Sequence, residues 1–444
     1  MMEYVGNYNN IKVSVVVAVY DSAAYLRQTL DSICAQTLRD IEIILVDDGS
    51  KDESYKILEE YAARDNRIKV FKQTEPSDGA ALARNMGVTL ATGEYVSVLD
   101  ADDLFEPDML QKAYDKAVAT GAEAVIFDGD LYDEKLGTFR DTGMILRREF
   151  LPDKDVFAPC ENANRLFFMT IGSAWNVLFK RELIVLEDLK FHSFHHADDL
   201  GFVYLGFVTA AKIAVLPDKL LHYRCNNSAS QAANLEKWPE AAAGAMTELK
   251  KTLDERGLFD TYRVTFTELA FHYFELYLDR MPDYDRFEKL YLSWKDRYVK
   301  ALDLLKVSDD ELVQKRIVTI RKRLIRLTPG QYLFEKENRC GLFAPEKKWR
   351  QIIPEGSRII LYCAGKLGRE LFGELINDNT YHIVSWADAK FESYGYPVED
   401  PYEAIKREYD HILVAIESEA VFDSIRKALV TMGADESKII WSEG

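Results

Sequence analysis

Apolar positions recur along the chain with two different periods, and the switches between them mark out its elements. Lys12–Tyr20 is a nearly continuous β-branched run, the pattern of a strand buried on both faces. Ala23–Gln36 follows, with Tyr25, Leu26, Leu30 and Ile33 at helical spacing. Ile41–Val46 predicts a second strand, ending in Asp47-Asp48-Gly49-Ser50. Ser50–Tyr61 then reads as a capped helix, Ile68–Gln73 as a short strand and Gly79–Leu90 as a helix. Tyr95–Leu99 is a strand that runs into Asp100-Ala101-Asp102-Asp103. Strands alternating with helices imply right-handed crossovers and a parallel sheet. Ligands bind such sheets at the carboxyl ends of the strands, where both acidic runs fall.

The pattern changes beyond residue 233. Glycine becomes sparse over 234–350, and Leu269, Tyr273, Phe274 and Tyr277 repeat at three-to-four spacing, so this part is helical. Over 351–444 the α/β alternation returns. Strands are expected at Arg358–Cys363, His382–Ala387, His411–Ile416 and Lys438–Trp441, with helices at Lys366–Asn377, Pro401–Glu408 and Ala420–Met432. An α/β chain of three parts results, divided as 1–233, 234–350 and 351–444.

Composition narrows the class. Of 444 residues, 48% are hydrophobic and 29% charged, so disorder is excluded as the main state. Lys and Arg number 56 against 74 acids, and the net charge of 56 − 74 = −18 disfavours nucleic acid or anionic lipid as a partner of the whole molecule. The longest clean apolar run, Val13–Tyr20, is far short of the roughly 20 residues that cross a bilayer. With no secretory signal visible and five scattered cysteines lacking any Cys-x-x-Cys pair, reduced thiols and a cytoplasmic location are expected.

Candidate chemistry concentrates in the first part. Asp100 and Asp102, one residue apart after a buried strand, can face a common hard cation whose shell is completed by water and phosphate oxygens. An acidic turn is the plainer alternative. Asp47 and Asp48 end the neighbouring strand, where a carboxylate can accept from a base N–H or a ribose hydroxyl, although Asp-Gly-Ser is also a favoured turn. Arg84 can make bidentate contacts to phosphate. His192, His195, His196, Asp198 and Asp199 invite a zinc reading, but adjacent residues of an extended segment point to opposite sides, so pocket-shaping or packing is preferred.

Five ordered blocks resemble family 2 glycosyltransferases, which have the GT-A fold. They are Val13–Asp21, Val46-Asp47-Asp48-Gly49-Ser50-x-Asp52, Ala83-Arg84-Asn85-x-Gly87, Gly93–Asp103 and Ser173-Ala174-Trp175-Asn176-x-Leu178-Phe179. The resemblance covers about the first half of the chain. It implies an inverting enzyme that moves a sugar from a nucleoside-diphosphate sugar, UDP favoured, to a hydroxyl. The acceptor would be a cell-surface polysaccharide, a teichoic-acid-like polymer or a lipid-linked glycan. By this analogy the Ala18, Val19, Tyr20 and Asp21 segment, Asp47, Asp48, Arg84, Asp100 and Ala101 line the donor site. Asp102, with Asp100 and His222, would hold Mn²⁺ or Mg²⁺. Asp199 would be the catalytic base, with Asp198, His196, Trp175 and Asn176 on the acceptor side. Leu221-His222-Tyr223-Arg224 with Ser228 and Ser230 resembles the loop that closes over the diphosphate, and Arg224 is its candidate phosphate contact. Two departures are Ser77-Asp78-Gly79, where the family often has Asn-x-Gly, and Asp198 in Ala197–Phe202, where the commoner pair is Glu-Asp. The competing expectation is a non-catalytic nucleotide-sugar-binding scaffold or regulatory protein. A nucleotidyltransferase is disfavoured, because Ala18–Ala24 lacks a Gly-rich, lysine-bearing loop.

Two features lie outside that resemblance. Leu361–Gly368 resembles the Gly-rich turn of Rossmann-like nucleotide-binding domains, with Cys363 in place of the first glycine and Asp388 where a ribose-binding acid is expected. An assembly role and a ligand-binding role both stay open, and self-association through the helical or C-terminal part is a further expectation. The stretch 315–326 is basic and amphipathic. It can lie on the inner face of a membrane as a peripheral contact, or pack its apolar stripe internally, the reading slightly preferred.

Overall fold

The structure is a computed structural model and describes residues 11–73, 76–77, 79–194, 196–225, 235–338, 349–378, 380–394, 398–416 and 418–442. The expectations that fall on Asp78, His195, Ser228 and Ser230 lie outside these residues. The chain divides into two compact units, Met1–Arg321 and Lys322–Gly444.

Ten strands make one mixed sheet in the first unit. They are β1 (Val13–Val19), β2 (Ile41–Asp47), β3 (Ile68–Lys72), β4 (Tyr95–Asp100), β5 (Leu104–Phe105), β6 (Ala124–Asp133), β7 (Thr138–Arg140), β8 (Val156–Phe157), β9 (Val177–Lys180) and β10 (Ile213–Cys225). The main path runs β3-β2-β1-β4-β9-β6-β10-β5, with β7 on β6 and β8 on β10. β1 to β4 pair in parallel as the sequence predicts. β9 then runs antiparallel between β4 and β6, which makes the sheet mixed. The helices α1 (Ala23–Cys34), α2 (Ser54–Ala62), α3 (Ala81–Leu90) and α4 (Met109–Thr120) cover its faces. Helix α2 starts later than the expected Ser50, because the preceding side chains are already engaged. Ser50 Oγ accepts from the Asp21 N–H, and Asp52 Oδ2 from the Ala23 N–H.

Register places the acids. Val19 lies opposite Asp47, and Ala18 opposite Asp100, so both strands deliver a carboxylate beside the end of β1. Helix α3 lies tight on β1: a Cβ at Gly87 would stand 2.3 Å from Val16 Cγ1. At the other end of the sheet a buried carboxylate ties three strands to the turn before β4. Glu42 Oε1 accepts from Ser14 Oγ at 2.6 Å and from Thr92 N at 2.7 Å and Oγ1 at 2.8 Å, and Oε2 faces Lys69 at 2.7 Å.

The helices beyond 234 continue the first unit. A helix at Leu200–Thr209 follows α5 (Arg181–Leu186) and is α6; α7 (Ala241–Glu255) packs on it and α8 (Phe259–Leu278) packs on α7. The basic stretch is a helix, Lys315–Arg326, with Ile317, Ile320 and Leu324 buried. Its arginines pair locally: Arg316 with Glu275, Arg321 with Asp309 and Arg323 with Glu335. Among the described residues no helix is long and apolar enough to cross a membrane.

The second unit carries a four-stranded parallel sheet of β11 (Arg358–Tyr362), β12 (His382–Ala387), β13 (His411–Val414) and β14 (Ile439–Trp441), ordered β12-β11-β13-β14. Cys363, in the place of the fingerprint's first glycine, adopts φ 78°, a conformation that favours glycine. Asp388 is occupied by that turn, accepting from Ala364 N at 2.6 Å and Lys390 N at 2.8 Å.

Glu42 gives a stability test. Burial pulls its carboxyl up, but the bonds from Lys69, Ser14 and Thr92 outweigh this and hold it at about 2 against an ordinary 4.5. A depressed folded pKa stabilises above the unfolded value and loses that stabilisation as pH falls toward the folded one. Glu42→Gln is expected to cost about 2 kcal/mol at pH 7, with the deficit shrinking from pH 4.5 toward pH 2. Denaturant titrations of both proteins across that range read it out.

Candidate active site

The turn after β4 is built from below. Thr29 Oγ1 on α1 donates to the carbonyls of Ala101 at 3.0 Å and Asp103 at 2.8 Å. This fixes a backbone on which Asp100, Asp102 and Asp103 each offer an oxygen within 4.8 Å of the others. Asp103 is fully buried. Its Oδ1 accepts from the Arg224 N–H at 2.8 Å, and its Oδ2 has no hydrogen-bond partner. Burial, with Asp102 and Asp100 beside it, pushes its carboxyl well above the usual range. An orphaned buried oxygen in a three-carboxylate cluster suits a hard divalent cation with oxygen ligands.

Arg224 stands behind this turn. Its Nε donates to the Asp102 carbonyl at 2.6 Å, Nη2 to Gln28 Oε1 at 3.0 Å, and Nη1 pairs with Glu134. The guanidinium is sandwiched between the rings of Tyr25 and Tyr132, at 4.8 and 5.1 Å. The sequence suggested a phosphate contact; here Nε, Nη1 and Nη2 all serve protein oxygens, so Arg224 supports the acidic turn. His222 lies opposite Leu104, next to this turn, but both its ring nitrogens are engaged elsewhere. Nδ1 bonds Asp130 at 2.6 Å and Nε2 bonds Glu106 at 2.9 Å, which leaves no ring lone pair for an ion.

At the end of β2, Asp47 is fully buried. Oδ2 accepts weakly from Ser50 N at 3.3 Å, while Oδ1 has no partner. Asp48 instead holds the next loop, accepting from Ser77 N at 3.1 Å and Ser77 Oγ at 2.6 Å. Asp21 adopts φ 44° and accepts from Lys51 N at 2.7 Å, so it shapes the loop beside the exposed Tyr20.

Arg84 joins the end of β4 to the turn that precedes α6. Nη2 meets Asp100 Oδ1 and Nη1 meets Asp198 Oδ2, both at 2.7 Å. Burial works against its charge, yet Asp198, Asp100 and Asp199 together hold the guanidinium above its ordinary pKa. Asp199 directly precedes α6. Burial first, then Asp198 and Asp100, raise it to about 7 against the opposing pull of Arg84. His196 Nδ1 bonds the Tyr277 hydroxyl on α8 at 2.6 Å, and burial lowers the imidazole to about 4, so it stays neutral. Trp175 and Asn176 are buried. Trp175 stacks on Tyr223 at 5.6 Å, and Asn176 Nδ2 donates to the Phe127 carbonyl at 3.2 Å, so both act in the wall rather than at its surface.

A family model described as glycosyl transferase family 2 matches residues 14–183. Glycosyltransferase GlyG of Streptococcus pneumoniae is 33% identical over 216 residues, spanning 48% of this chain and 70% of that one. The chain belongs to glycosyl transferase family 2. Poly(ribitol-phosphate) beta-glucosyltransferase of Bacillus spizizenii is 25% identical over 290 residues, or 64% of this chain and 42% of that one. The fold is shared with a fragment of S. aureus TarS crystallised with UDP, at a TM-score of 0.54 and 18% identity over 77% of this chain and 92% of that one.

Several residues of this glycosyltransferase site escaped the sequence. Thr29 and Gln28 read as helix face, and Glu134 as a loop acid; nothing local tells that they brace Asp102 and Asp103. Asp103 was visible only as the fourth residue of an acidic run. The base expectation for Asp199 can be tested by pH: if it accepts the proton in the reaction, activity is lost below its pKa. Sugar-transfer kcat/KM is expected to fall about tenfold per pH unit below 7 and to level off above it, which a pH–rate profile checks.

Proposed function

We propose that this glycosyltransferase inverts the donor's anomeric centre and moves a sugar from a UDP-sugar to a hydroxyl of a cell-surface polymer. The observation that carries this reading is the pairing, across one guanidinium, of the Asp100–Asp103 turn with the Asp198-Asp199 turn. The first suits the diphosphate end of a donor and the second an incoming hydroxyl. Asp47, with one buried oxygen unpartnered at the end of β2, is assigned to the nucleotide base. Asp199 takes the acceptor proton from the face opposite the leaving diphosphate, as inversion by direct displacement requires. Its raised pKa keeps its basicity near neutrality. Asp100, Asp102 and Asp103 would hold Mn²⁺ or Mg²⁺, which neutralises the charge on the departing diphosphate. UDP leads the candidate donors because the fold-sharing TarS fragment was crystallised with it. A polymer hydroxyl leads the acceptors because of the similarity to a poly(ribitol-phosphate) glucosyltransferase.

Calorimetry with UDP and Mn²⁺, followed by a screen of UDP-sugars, tests the assignment. Asp199→Asn is expected to lower transfer by about 10²–10⁴-fold while UDP affinity holds. Asp102→Ala is expected to weaken Mn²⁺-dependent UDP binding by about tenfold or more. Full transfer activity in Asp199→Asn would remove the base assignment.

A further inference from the structure

Arg84 and Asn85 are neighbours on α3, and both reach the segment that leads to Asp199. Arg84 takes Asp198 through Nη1 and Asp100 through Nη2. Asn85 grips the backbone of Phe191 from both sides: Nδ2 donates to the Phe191 carbonyl at 2.8 Å, and Oδ1 accepts from its N–H at 2.9 Å. The Phe191 ring lies 5.4 Å under the Arg84 guanidinium and stacks on Phe202 of α6 at 4.2 Å. The His192 N–H closes the loop on the Asp198 carbonyl at 3.2 Å, and Ala197 is held at φ 65°, a conformation that costs about 1 kcal/mol for a residue with a Cβ. Asp198 is only 7% exposed, with its Oδ2 committed to Arg84.

We infer that Asp198 and Asn85 are positioning residues for Asp199, acting through Arg84 and Phe191, and that Asp198 is not a contact to the acceptor. This rests on the reading of Asp199 as the base. The geometry is that of a bracket. Two consecutive residues of α3 fix the start of the base-bearing segment at Phe191 and its end at Asp198, and the next residue is Asp199. Each hold is itself immobilised, Phe191 by its stack on α6 and Arg84 by its second carboxylate on β4. Asp100 shares the guanidinium, so the donor-side strand and the base-bearing turn are set by a single side chain. Catalysis demands placement of a base to within a fraction of an ångström, which a backbone strained at Ala197 does not supply alone.

Two readouts on the full-length protein test this. The first is hydrogen exchange without ligand. Asp198→Asn and Asn85→Ala are each expected to raise exchange over 191–200 by roughly tenfold while β1 and β2 stay protected. The second is hydrolysis of UDP-glucose, UDP-galactose and UDP-N-acetylglucosamine with Mn²⁺, in which water replaces the acceptor. Asp198→Asn is expected to lower hydrolysis kcat by roughly 30-fold or more with donor KM within about threefold, and Asp198→Glu to restore most of it. Hydrolysis unchanged in Asp198→Asn marks an acceptor-only contact and overturns the inference, as does unchanged exchange over 191–200. If wild-type protein hydrolyses none of the three and binds no UDP, the donor reading fails, and the exchange experiment still decides the bracket.

Discussion

Repulsion between carboxylates gathered at one end of a sheet is the constraint around which this site is built. Asp47, Asp100, Asp102, Asp103, Asp198 and Asp199 are delivered to the same region by strand register and by one turn before α6. Like charges a few ångströms apart in a desiccated environment cost several kilocalories unless something opposes them. Two guanidiniums do. Arg84 stands between Asp100 and Asp198, and Arg224 stands behind the Asp102–Asp103 turn. What they leave uncompensated is informative: Asp103 keeps an orphaned oxygen, and Asp199 keeps a pKa near neutrality. These are the places that the proposed function gives to a cation and a proton.

The two arginines work differently because of where their partners come from. Arg224 is enclosed by α1, β6 and the acidic turn, and two tyrosine rings confine it, so it fixes a single conformation of the turn. Arg84 bridges segments 114 residues apart in sequence, Arg84 to Asp198, and a change on either side is felt on the other. The −18 net charge thus has a local structure. Within the site, part of the acidic charge is paired with Arg84 and Arg224, while the buried Asp103 Oδ2 has no hydrogen-bond partner.

Much of this was legible in the chain alone. β1 to β4, α1 and α3 stand where apolar periodicity puts them, and the acids at the carboxyl ends follow from the strand boundaries. The blocks around Asp47, Arg84, Asp100 and Trp175 point to the family that the comparisons show. Other assignments depended on partners far along the chain. Arg224 and His222 have the right chemistry for a phosphate or a metal, but Gln28, Glu134, Asp130 and Glu106 take up their hydrogen bonds. Asp48 is indistinguishable from Asp47 in sequence, yet Ser77 claims it.

The sequence by itself determined which residue types end which strands, because strand and helix periods are local and the acids follow them directly. It also fixed the α/β class and the helical character of the segment after 234. Only the tertiary structure decided which carboxylates are spent and which are left open. The apolar pattern says that Asp47 ends one strand and Asp100 another, and the register then sets both beside the end of β1. The pattern does not reach further. It does not say that a guanidinium from α3 unites Asp100 with Asp198, since that contact is made across elements with no shared periodicity. A side chain's chemistry is a property of its residue, whereas its availability is a property of its neighbours, and those are chosen by the fold.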